Sequence, residues 1–297
     1  MPENQQPSNI SDILKAAERQ LNRVGIDSAR LDSEVLLSHV LGCDRAYLLV
    51  HGEKKINADQ WSVFQKLVAR REKHEPVAYL IGHKEFMGLD FLVTPDVLIP
   101  RPETEIIVET AINLAGKMQQ PKILDIGCGS GCIVISLAKH IQTVKCYTTD
   151  ISQRAITIAQ QNETRILGNN QIQFIEKDLF PEISELETKF DIIVSNPPYI
   201  TESELASLAS DIRDYEPQRA LNGGVDGLTI IRKIIKEAPR YLNNDGYLIL
   251  EIGDKQAPAV RKLVEETGRF AVQSTQFISD LAGKERILIT KKYDSNG

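Results

Sequence analysis

The chain has 297 residues, of which 42% are hydrophobic and 26% charged, and its 35 Lys and Arg against 41 Asp and Glu give a net charge of −6. This composition is typical of a folded globular protein and excludes disordered, collagen-like and disulfide-scaffold classes. The acidic balance also excludes a protein that holds nucleic acid by bulk positive charge.

The chain carries no pattern that directs it to a membrane or to a metal. Residues 1–10 are polar and lack the apolar region of a signal peptide, and no apolar run reaches the roughly 20 residues of a membrane helix. The four cysteines form no CxxC pair and have no histidine at ligand spacing; they are Cys43, Cys128, Cys132 and Cys146. We therefore expect a cytoplasmic protein with no membrane contact and no metal site.

Residues 1–85 show only helical patterns and are predicted to form a small all-helical domain. Apolar residues recur at helical spacing in a first segment (Ile10, Ile13, Leu14, Ala17 and Leu21) and more loosely over Arg30–Leu41. A third helix is predicted to start at Asn57, capped by its side chain and by Gln60 reaching back. Its buried face would be Trp61, Phe64, Leu67 and Val68. Twelve basic and twelve acidic residues leave this domain neutral, which suits contact with a protein partner.

Residues 86–102 are predicted to be a hairpin followed by a stiff linker. Between Phe86 and Val93 the apolar residues are interrupted at Gly88 and Asp90, which indicates a short hairpin. Pro95, Pro100 and Pro102 then stiffen the chain until a helix begins around Glu103.

From residue 103 to 297 strand and helix patterns alternate. The predicted strands are Lys122–Ile126, Val144–Thr149, Ile172–Ile175, Phe190–Ser195, Tyr247–Ile252, Phe270–Thr275 and Arg286–Thr290. Such alternation predicts an α/β fold with a doubly wound, mostly parallel sheet between two layers of helices. Because the last two strands are joined by a short loop, we expect the final strand to run antiparallel.

A glycine-rich turn follows the first of these strands. The sequence from Asp125 to Gly131 reads DIGCGSG, and a helix is predicted from about Cys132. Glycines at a strand-to-helix turn let a ligand approach the backbone N–H groups. A turn of this kind alone is weak evidence, because it also occurs as a simple tight turn.

Acidic residues at the neighbouring strand ends strengthen this interpretation. The next strand ends at Asp150, where a carboxylate can accept both hydroxyls of a ribose, and Asp178-Leu179-Phe180 follows the third strand. Helix capping or a solvated strand end is the alternative, but three acidic strand ends in register (Asp125, Asp150 and Asp178) favour a nucleoside-containing cofactor. Cys128 and Cys132 have no nearby histidine and are interpreted as small buried hydrophobic residues.

The fourth strand leads into Asn196-Pro197-Pro198-Tyr199. The side-chain oxygen of Asn196 and the carbonyl of Pro197 are two acceptors at a fixed separation, able to hold both hydrogens of a planar –NH₂ group. The prolines stiffen the backbone, and Tyr199 can lie flat on an amide or a base. A surface turn with an exposed aromatic is the alternative, which the position after the fourth strand disfavours.

Together the glycine-rich turn, the acidic strand ends and Asn-Pro-Pro-Tyr resemble S-adenosylmethionine-dependent methyltransferases that act on a planar amino group. Similar motifs occur in enzymes that methylate adenine in DNA, guanine in ribosomal RNA or glutamine in proteins. This motif therefore indicates nitrogen chemistry without fixing the substrate.

Longer blocks spread over nearly the whole chain resemble the bacterial peptide chain release factor glutamine methyltransferase family. They are PVAYLIG at 76–82, EF at 85–86, LIPRPETE at 98–105, YEP at 215–217, LNGGVDGL at 221–228 and DLAG at 280–283. The resemblance implies a class I methyltransferase fold (Rossmann-like, seven-stranded, with an antiparallel last strand) at 103–297, with S-adenosylmethionine as cofactor. It implies a class I release factor as protein substrate, methylated at the glutamine of its Gly-Gly-Gln motif and recognised by the helical domain. No direct contact with nucleic acid is expected.

The resemblance also implies roles for individual residues. Residues of the glycine-rich turn (Gly127, Cys128, Gly129, Ser130 and Gly131) would line the methionine and ribose side of the cofactor. Asp150 would take the ribose hydroxyls and Leu179 the adenine, where family members often have a larger aromatic. Asn196, which also borders the cofactor, would hold the substrate amide with Pro197, next to Pro198 and a stacked Tyr199. Arg101 and Thr104 would either close over the methionine end or serve as a surface ion pair and a helix cap.

Several alternatives stay open at this point. A sister family methylates a glutamine of a ribosomal protein, and an adenine- or guanine-directed enzyme would need a basic face or a target-recognition domain. A binding module without turnover would have no need of the Asn-Pro-Pro-Tyr geometry. A nicotinamide dehydrogenase is disfavoured by Cys132, which stands where the dinucleotide fingerprint has Gly or Ala.

Overall fold

The computed structural model of the chain describes residues 9–182 and 189–293. It divides into two compact units. The first unit is Met1–Gly82 together with Ala209–Tyr215, and the second is His83–Leu208 together with Glu216–Gly297. A short segment from the second half of the sequence therefore folds with the N-terminal helices.

The first unit is built from helices. In chain order they are α1 (Ile10–Arg23), α2 (Ala29–Leu41), α3 (Arg45–Val50), α4 (Ala58–Arg71), α5 (Val77–Ile81) and, from the later segment, α10 (Ser210–Arg213). The predicted apolar face of α1 is confirmed, since Ile10, Ile13, Ala17 and Leu21 are buried and Leu14 is partly buried against the same cluster. Tyr215 attaches the later segment by donating its hydroxyl hydrogen to the backbone oxygen of Lys73 at 2.7 Å.

The predicted start of α4 is also confirmed. Asn57 Oδ1 accepts from the backbone N–H of Gln60 at 2.8 Å, and Gln60 Oε1 accepts from the N–H of Asn57 at 3.0 Å. The buried face of α4 consists of Phe64, Leu67, Val68 and Arg71, whereas Trp61 is only partly buried. Arg71 pairs inside this unit with Asp32 of α2 at 2.7 Å, so its burial is compensated by an ion pair.

The second unit contains the strands. Its strands are β1 (His83–Phe86), β2 (Leu89–Leu92), β3 (Lys122–Ile126), β4 (Lys145–Asp150), β5 (Ile172–Glu176), β6 (Phe190–Ser195), β7 (Leu242–Glu251), β8 (Gln276–Ser279) and β9 (Glu285–Lys291). Its helices are α6 (Glu105–Ala115), α7 (Cys132–His140), α8 (Gln153–Leu167), α9 (Glu202–Leu205), α11 (Thr229–Tyr241) and α12 (Ala257–Thr267). The predicted hairpin is present as the antiparallel pair β1–β2, and a 3-10 turn at Pro102–Thr104 precedes α6.

Seven strands form one sheet in the order β5-β4-β3-β6-β7-β9-β8. The first five are parallel, and β9 runs antiparallel to both of its neighbours. The fold class predicted from the sequence is therefore confirmed, including the antiparallel last strand. The chain proceeds from β3 outward to β4 and β5 and then returns to β6, so the topological switch point lies between β3 and β6.

One predicted strand is wrong. Phe270–Thr275 does not form a ladder: Phe270 makes a single bridge to Lys292, and Val272–Ser274 is a 3-10 turn. The edge strand is instead Gln276–Ser279, paired with β9. Phe270 is apolar because it fills the core beneath α12, which imitates the sequence signal of a strand.

Alternating apolar residues place the sheet between two layers of helices. On β7, Leu248 and Leu250 pack into a cluster with α11 and α12, whereas Ile249 packs into a second cluster with α6 and α7. This is the period-two alternation of a sheet covered on both faces. Within residues 9–182 and 189–293, no helix is long and apolar enough to cross a membrane.

Candidate functional site

A cavity opens at the carboxyl ends of β3, β4 and β6, beside the switch point of the sheet. Most of the residues singled out from the sequence line it: Gly127, Cys128, Gly129, Ser130, Asp150, Leu179 and Asn196, together with Arg101 and Thr104. Gly131, Pro197, Pro198 and Tyr199 are not among its lining residues in the described part of the chain. The carboxyl ends of parallel strands are where ligands bind in sheets of this kind.

The glycine-rich turn is held open by its backbone. Gly127 and Gly129 have φ angles of +81° and +53°, and a Cβ added to either would meet no atom within 4 Å. Gly131 differs, because its Cβ would lie 2.7 Å from Cδ1 of Ile135 and 3.1 Å from Cβ of Ala159. The first two glycines thus leave free space at the cavity, whereas the third allows α7 and α8 to pack closely.

Asp150 is fixed at the end of β4 by two backbone donors. Its Oδ2 accepts from the N–H of Gly129 at 3.0 Å, and its Oδ1 accepts from the N–H of Ser152 at 2.8 Å. Each carboxylate oxygen retains a further lone pair for a hydroxyl group. The next strand end contributes Leu179, a non-glycine residue with φ of +64°, whose carbonyl accepts from the hydroxyl of Thr149 at 2.6 Å.

Buried titratable groups surround the glycine-rich turn. Burial, and then the charge of Asp150, raise the pKa of the fully buried Asp125 well above its usual range. Burial also raises the pKa of Cys132 to about 12 and that of Cys128 well above its usual range. Both thiols are therefore protonated at neutral pH, which agrees with their interpretation as residues that are not nucleophiles. Cys128 is buried as predicted, whereas Cys132 is only partly buried.

The Asn196–Tyr199 segment is supported by the glycines of the LNGGVDG block. The N–H of Ile200, the next residue, donates to the backbone oxygen of Leu221 at 3.0 Å, and its carbonyl accepts from the N–H of Gly223 at 2.8 Å. A Cβ on Gly223 would lie 2.8 Å from Cα of Tyr199. Gln256 completes the support by donating from Nε2 to the backbone oxygen of Tyr199 at 3.0 Å. The LNGGVDG block and Gln256 therefore both hold the backbone of this segment in place.

A chain of hydrogen bonds runs beneath this segment. Asn196 donates from Nδ2 to Oγ1 of Thr104 at 3.0 Å, and Thr104 donates to Oε2 of Glu251 at 2.7 Å. Tyr199 donates its hydroxyl hydrogen to Oε1 of the same carboxylate at 3.1 Å. Glu251, at the end of β7, is 1% exposed, and burial raises its pKa to about 7 despite these two hydrogen bonds. Burial and the neighbouring carboxylate also raise the pKa of Tyr199.

Arg101 makes an ion pair with a buried partner. Its Nη2 donates to Oε1 of Glu216 at 2.5 Å, while Oε2 of Glu216 accepts from the N–H of Ile99 at 3.3 Å. Glu216 has 1% side-chain exposure, so this is not a surface ion pair. Thr104 makes no helix-capping hydrogen bond with its side chain. Both residues lie at the cavity wall and connect it to buried carboxylates.

A buried asparagine ties the β1–β2 hairpin to the glycine-rich turn. Asn162 of α8 accepts from the N–H of Leu92 at 2.7 Å and donates from Nδ2 to the carbonyls of Leu92 and Ser130, both at 2.9 Å. Its side chain is fully buried. The hairpin is therefore connected through Asn162 to Ser130, a residue of the cavity wall.

Sequence reasoning missed three of these supporting side chains: Glu251, Gln256 and Asn162. For Glu251 a signal was available, because a carboxylate at the end of an apolar strand is buried at a cost unless it has partners. Gln256 carries no such signal, since polar residues are common at helix starts, and Asn162 stands within a run of polar residues inside α8. Among residues 9–182 and 189–293, no group of three or more His, Cys, Asp or Glu could hold a metal ion.

Two family models match the chain, one over its N-terminal helices and one over part of the second unit. The family model described as the PrmC N-terminal domain matches residues 12–82, and the methyltransferase small domain matches residues 104–212.

Individual relatives match over nearly the full length. A release factor glutamine methyltransferase of Geobacter sulfurreducens is 42% identical over 268 residues, covering 90% of this chain and 92% of that protein. One from Koribacter versatilis is 39% identical over 277 residues, covering 93% and 96%. Among solved structures, a methyltransferase from Pyrococcus furiosus has a TM-score of 0.52 at 20% identity, covering 80% of this chain and all of that chain, and it agrees in fold.

Proposed function

Because this chain belongs to the release factor glutamine methyltransferase family, we infer that it transfers a methyl group from S-adenosylmethionine to the side-chain amide nitrogen of a glutamine. The glutamine we propose is that of the Gly-Gly-Gln motif in class I peptide chain release factors. The family resemblance drawn from the sequence blocks is thus confirmed. The named relatives support this function over methylation of a ribosomal protein or of nucleic acid. A release factor substrate would place the enzyme in the cytoplasm.

The cavity residues fit S-adenosylmethionine. The free space above Gly127 and Gly129 accommodates a ligand against the backbone, and the oriented Asp150 suits two ribose hydroxyls. We propose that Cys128 and Ser130 complete this wall and that Leu179 packs against the adenine. When bound, the cofactor supplies an electrophilic methyl group on a sulfonium.

The observation that carries the proposed chemistry is the fixed position of Asn196 at the cavity wall. Its Nδ2 is committed to Thr104, so its Oδ1 is available to accept from a substrate –NH₂ group. We propose that the Pro197 carbonyl accepts the second hydrogen and that Pro198 keeps the turn rigid, with Tyr199 beside the amide.

These contacts help because an amide nitrogen is a weak nucleophile whose lone pair is delocalised into the carbonyl. Holding both hydrogens fixes the nitrogen in an attacking geometry, which is catalysis by positioning and needs no strong base. The proton would leave to water after the transfer. We further propose that the helical unit recognises the release factor, to which its balanced charge presents no barrier.

The test is to incubate the protein with S-adenosylmethionine and a class I release factor and to locate the methyl group by peptide mass spectrometry. We expect it on the Gly-Gly-Gln glutamine, and we expect its loss when that glutamine is changed to alanine or when the enzyme carries Asn196→Ala. A methyl group found only on a ribosomal protein or on RNA would contradict the proposal. Asn113→Ala, on the exposed side of α6, is the matched control and should keep full activity.

A further inference from the structure

Two hydroxyl groups beneath the Asn196–Tyr199 segment converge on one buried carboxylate. Thr104 and Tyr199 each donate to a different oxygen of Glu251, at 2.7 and 3.1 Å. Glu251 is 1% exposed and, among the described residues, is not part of the cavity lining. Glu251 can therefore act on a ligand in the cavity only indirectly, through the residues to which it is hydrogen-bonded.

The donor and acceptor capacities of these groups fix which one donates in each hydrogen bond between Asn196, Thr104 and Glu251. An ionised carboxylate can only accept hydrogen bonds, and a threonine hydroxyl has a single hydrogen. Because Thr104 spends that hydrogen on Glu251, its oxygen can only accept from Asn196. The Asn196 amide must then turn its –NH₂ group toward Thr104 and its Oδ1 away from it. Glu251 thus sets the orientation of the Asn196 amide through Thr104.

Without an ionised carboxylate the direction is lost. A protonated Glu251 carries a hydrogen of its own and can donate to Thr104, which frees the threonine hydroxyl to donate toward Asn196. The amide can then rotate by half a turn and present its –NH₂ group instead of its oxygen. A substrate amide would then meet a donor at Asn196, where it needs an acceptor.

We propose that Glu251 is a positioning residue for glutamine recognition: acting through Thr104, it fixes the Asn196 amide with Oδ1 as the acceptor for the substrate –NH₂ group. This inference rests on the proposed function. It assigns to Glu251 and Thr104 a role in discriminating a glutamine from a glutamate, since a carboxylate offers no hydrogens to two acceptors.

The charges around Glu251 define its pH behaviour. Glu103 raises its pKa and Arg286 lowers it, while the protonated groups of Tyr199 and Cys132 also face it. With burial as the largest cause, its pKa is about 7. The ionised form is needed for the amide orientation, so activity should rise as the pH increases through this range.

The decisive measurement compares binding of two release factors, one with the natural Gly-Gly-Gln and one with Gly-Gly-Glu. Wild type should bind the glutamine form at least about 10-fold more tightly, and Glu251→Gln and Thr104→Val should reduce this preference to about 2-fold. Thr104→Ser keeps the hydroxyl and should retain the wild-type preference. Binding of S-adenosylhomocysteine to Glu251→Gln, followed by calorimetry, should change by less than about 3-fold.

The pH profile gives a second readout from the same variants. The kcat of wild type on the glutamine form should rise through about pH 7, whereas Glu251→Gln should be slower by about 10-fold or more and lack this rise. Unchanged substrate preference in both Glu251→Gln and Thr104→Val would overturn the inference, as would loss of preference in Thr104→Ser. Failure of the proposed function shows itself separately, because wild type would then leave the Gly-Gly-Gln glutamine unmethylated.

Discussion

At the scale of single residues, the Glu251 carboxylate is buried beneath the Asn196–Tyr199 segment, where burial raises its pKa. The pKa of Glu251 is about 7 in the folded protein against 4.5 as its ordinary value, so the folded state binds this proton more strongly than the unfolded chain. Stability therefore falls as the pH rises from about 4.5 to about 7.

We predict that this dependence disappears in Glu251→Gln. From pH 4.5 to pH 8 the free energy of unfolding of wild type should fall relative to the variant by roughly 3 kcal/mol, on the order expected for a shift of this size. Chemical denaturation of both proteins across this pH range measures the difference directly. A constant difference at every pH would contradict the raised pKa.

Residues of the site differ in how visible they are in the sequence. Asp150 and Asn196 could be predicted because they stand where strands end, and parallel strands gather their carboxyl ends at one edge. Glu251 stands in the same kind of position, but its strand reads as core and a single carboxylate there does not reveal its partners. Thr104 is 147 residues away from it in the chain, so their hydrogen bond could only be seen in the fold.

At the scale of elements, the connection before α11 determines the path of the Asn196–Tyr199 segment. Gly227 has φ of +70°, and an added Cβ would overlap the backbone oxygen of Tyr199 and lie 2.6 Å from Nε2 of Gln256. Gly168, which ends α8, has a similar φ of +75° but no atom within 4 Å of an added Cβ.

We predict that Gly227→Ala and Gly168→Ala separate backbone strain from loss of space. Gly168→Ala should cost about 1 kcal/mol from the left-handed conformation alone. Gly227→Ala should cost at least about 2 kcal/mol and also lower kcat, because the segment behind it must move. Denaturation curves and methyl transfer rates give the two quantities, and equal effects of both variants would count against this explanation.

The β1–β2 hairpin depends on one side chain of α8. We predict that Asn162→Ala destabilises the protein by roughly 2–4 kcal/mol, because both backbone groups of Leu92 and the carbonyl of Ser130 lose a buried partner. Asn113→Ala, exposed on α6, should stay within about 0.5 kcal/mol of wild type. Thermal unfolding of the pair checks this, and a near-neutral Asn162→Ala would show that the hairpin has other supports.

Helices and strands could be predicted from the sequence where hydrophobic periodicity and capping residues agree. They could not be predicted where apolar residues that pack in the core outside the sheet have the same pattern as a strand. The capping box of α4 and the bounds of β3 and β6 follow from local chemistry alone. The stretch around Phe270 has the composition of a strand, yet it pairs only at a single bridge, because the partner positions on β9 are taken by Gln276–Ser279. Pairing partners are a property of the sheet rather than of the segment.

At the scale of the whole molecule, every described residue that lines the cavity belongs to the second unit. We predict that S-adenosylhomocysteine slows amide hydrogen exchange at 126–133, 150–155 and 177–179 and leaves α1, α2 and α4 unchanged. Exchange followed by mass spectrometry tests this with a saturating ligand. Protection spread evenly over the helical unit would show that ligand binding and the helices are coupled.

The two-unit division shows what sequence patterns cannot reveal. Helical periodicity marks the N-terminal helices, but the seven residues of Ala209–Tyr215 are too few to show a periodic pattern. Their membership of the helical unit depends on contacts such as that of Tyr215 with Lys73.

That short returning segment has a consequence for synthesis on the ribosome. Met1–Gly82 leaves the exit tunnel first, yet its unit lacks Ala209–Tyr215 until the whole intervening stretch, with β3 to β6, has been translated. At roughly 5–20 residues per second this delay lasts on the order of ten seconds. During that interval the N-terminal helices lack the hydrogen bond from the Tyr215 hydroxyl to Lys73, and the last segment of the first unit is made after most of the second unit.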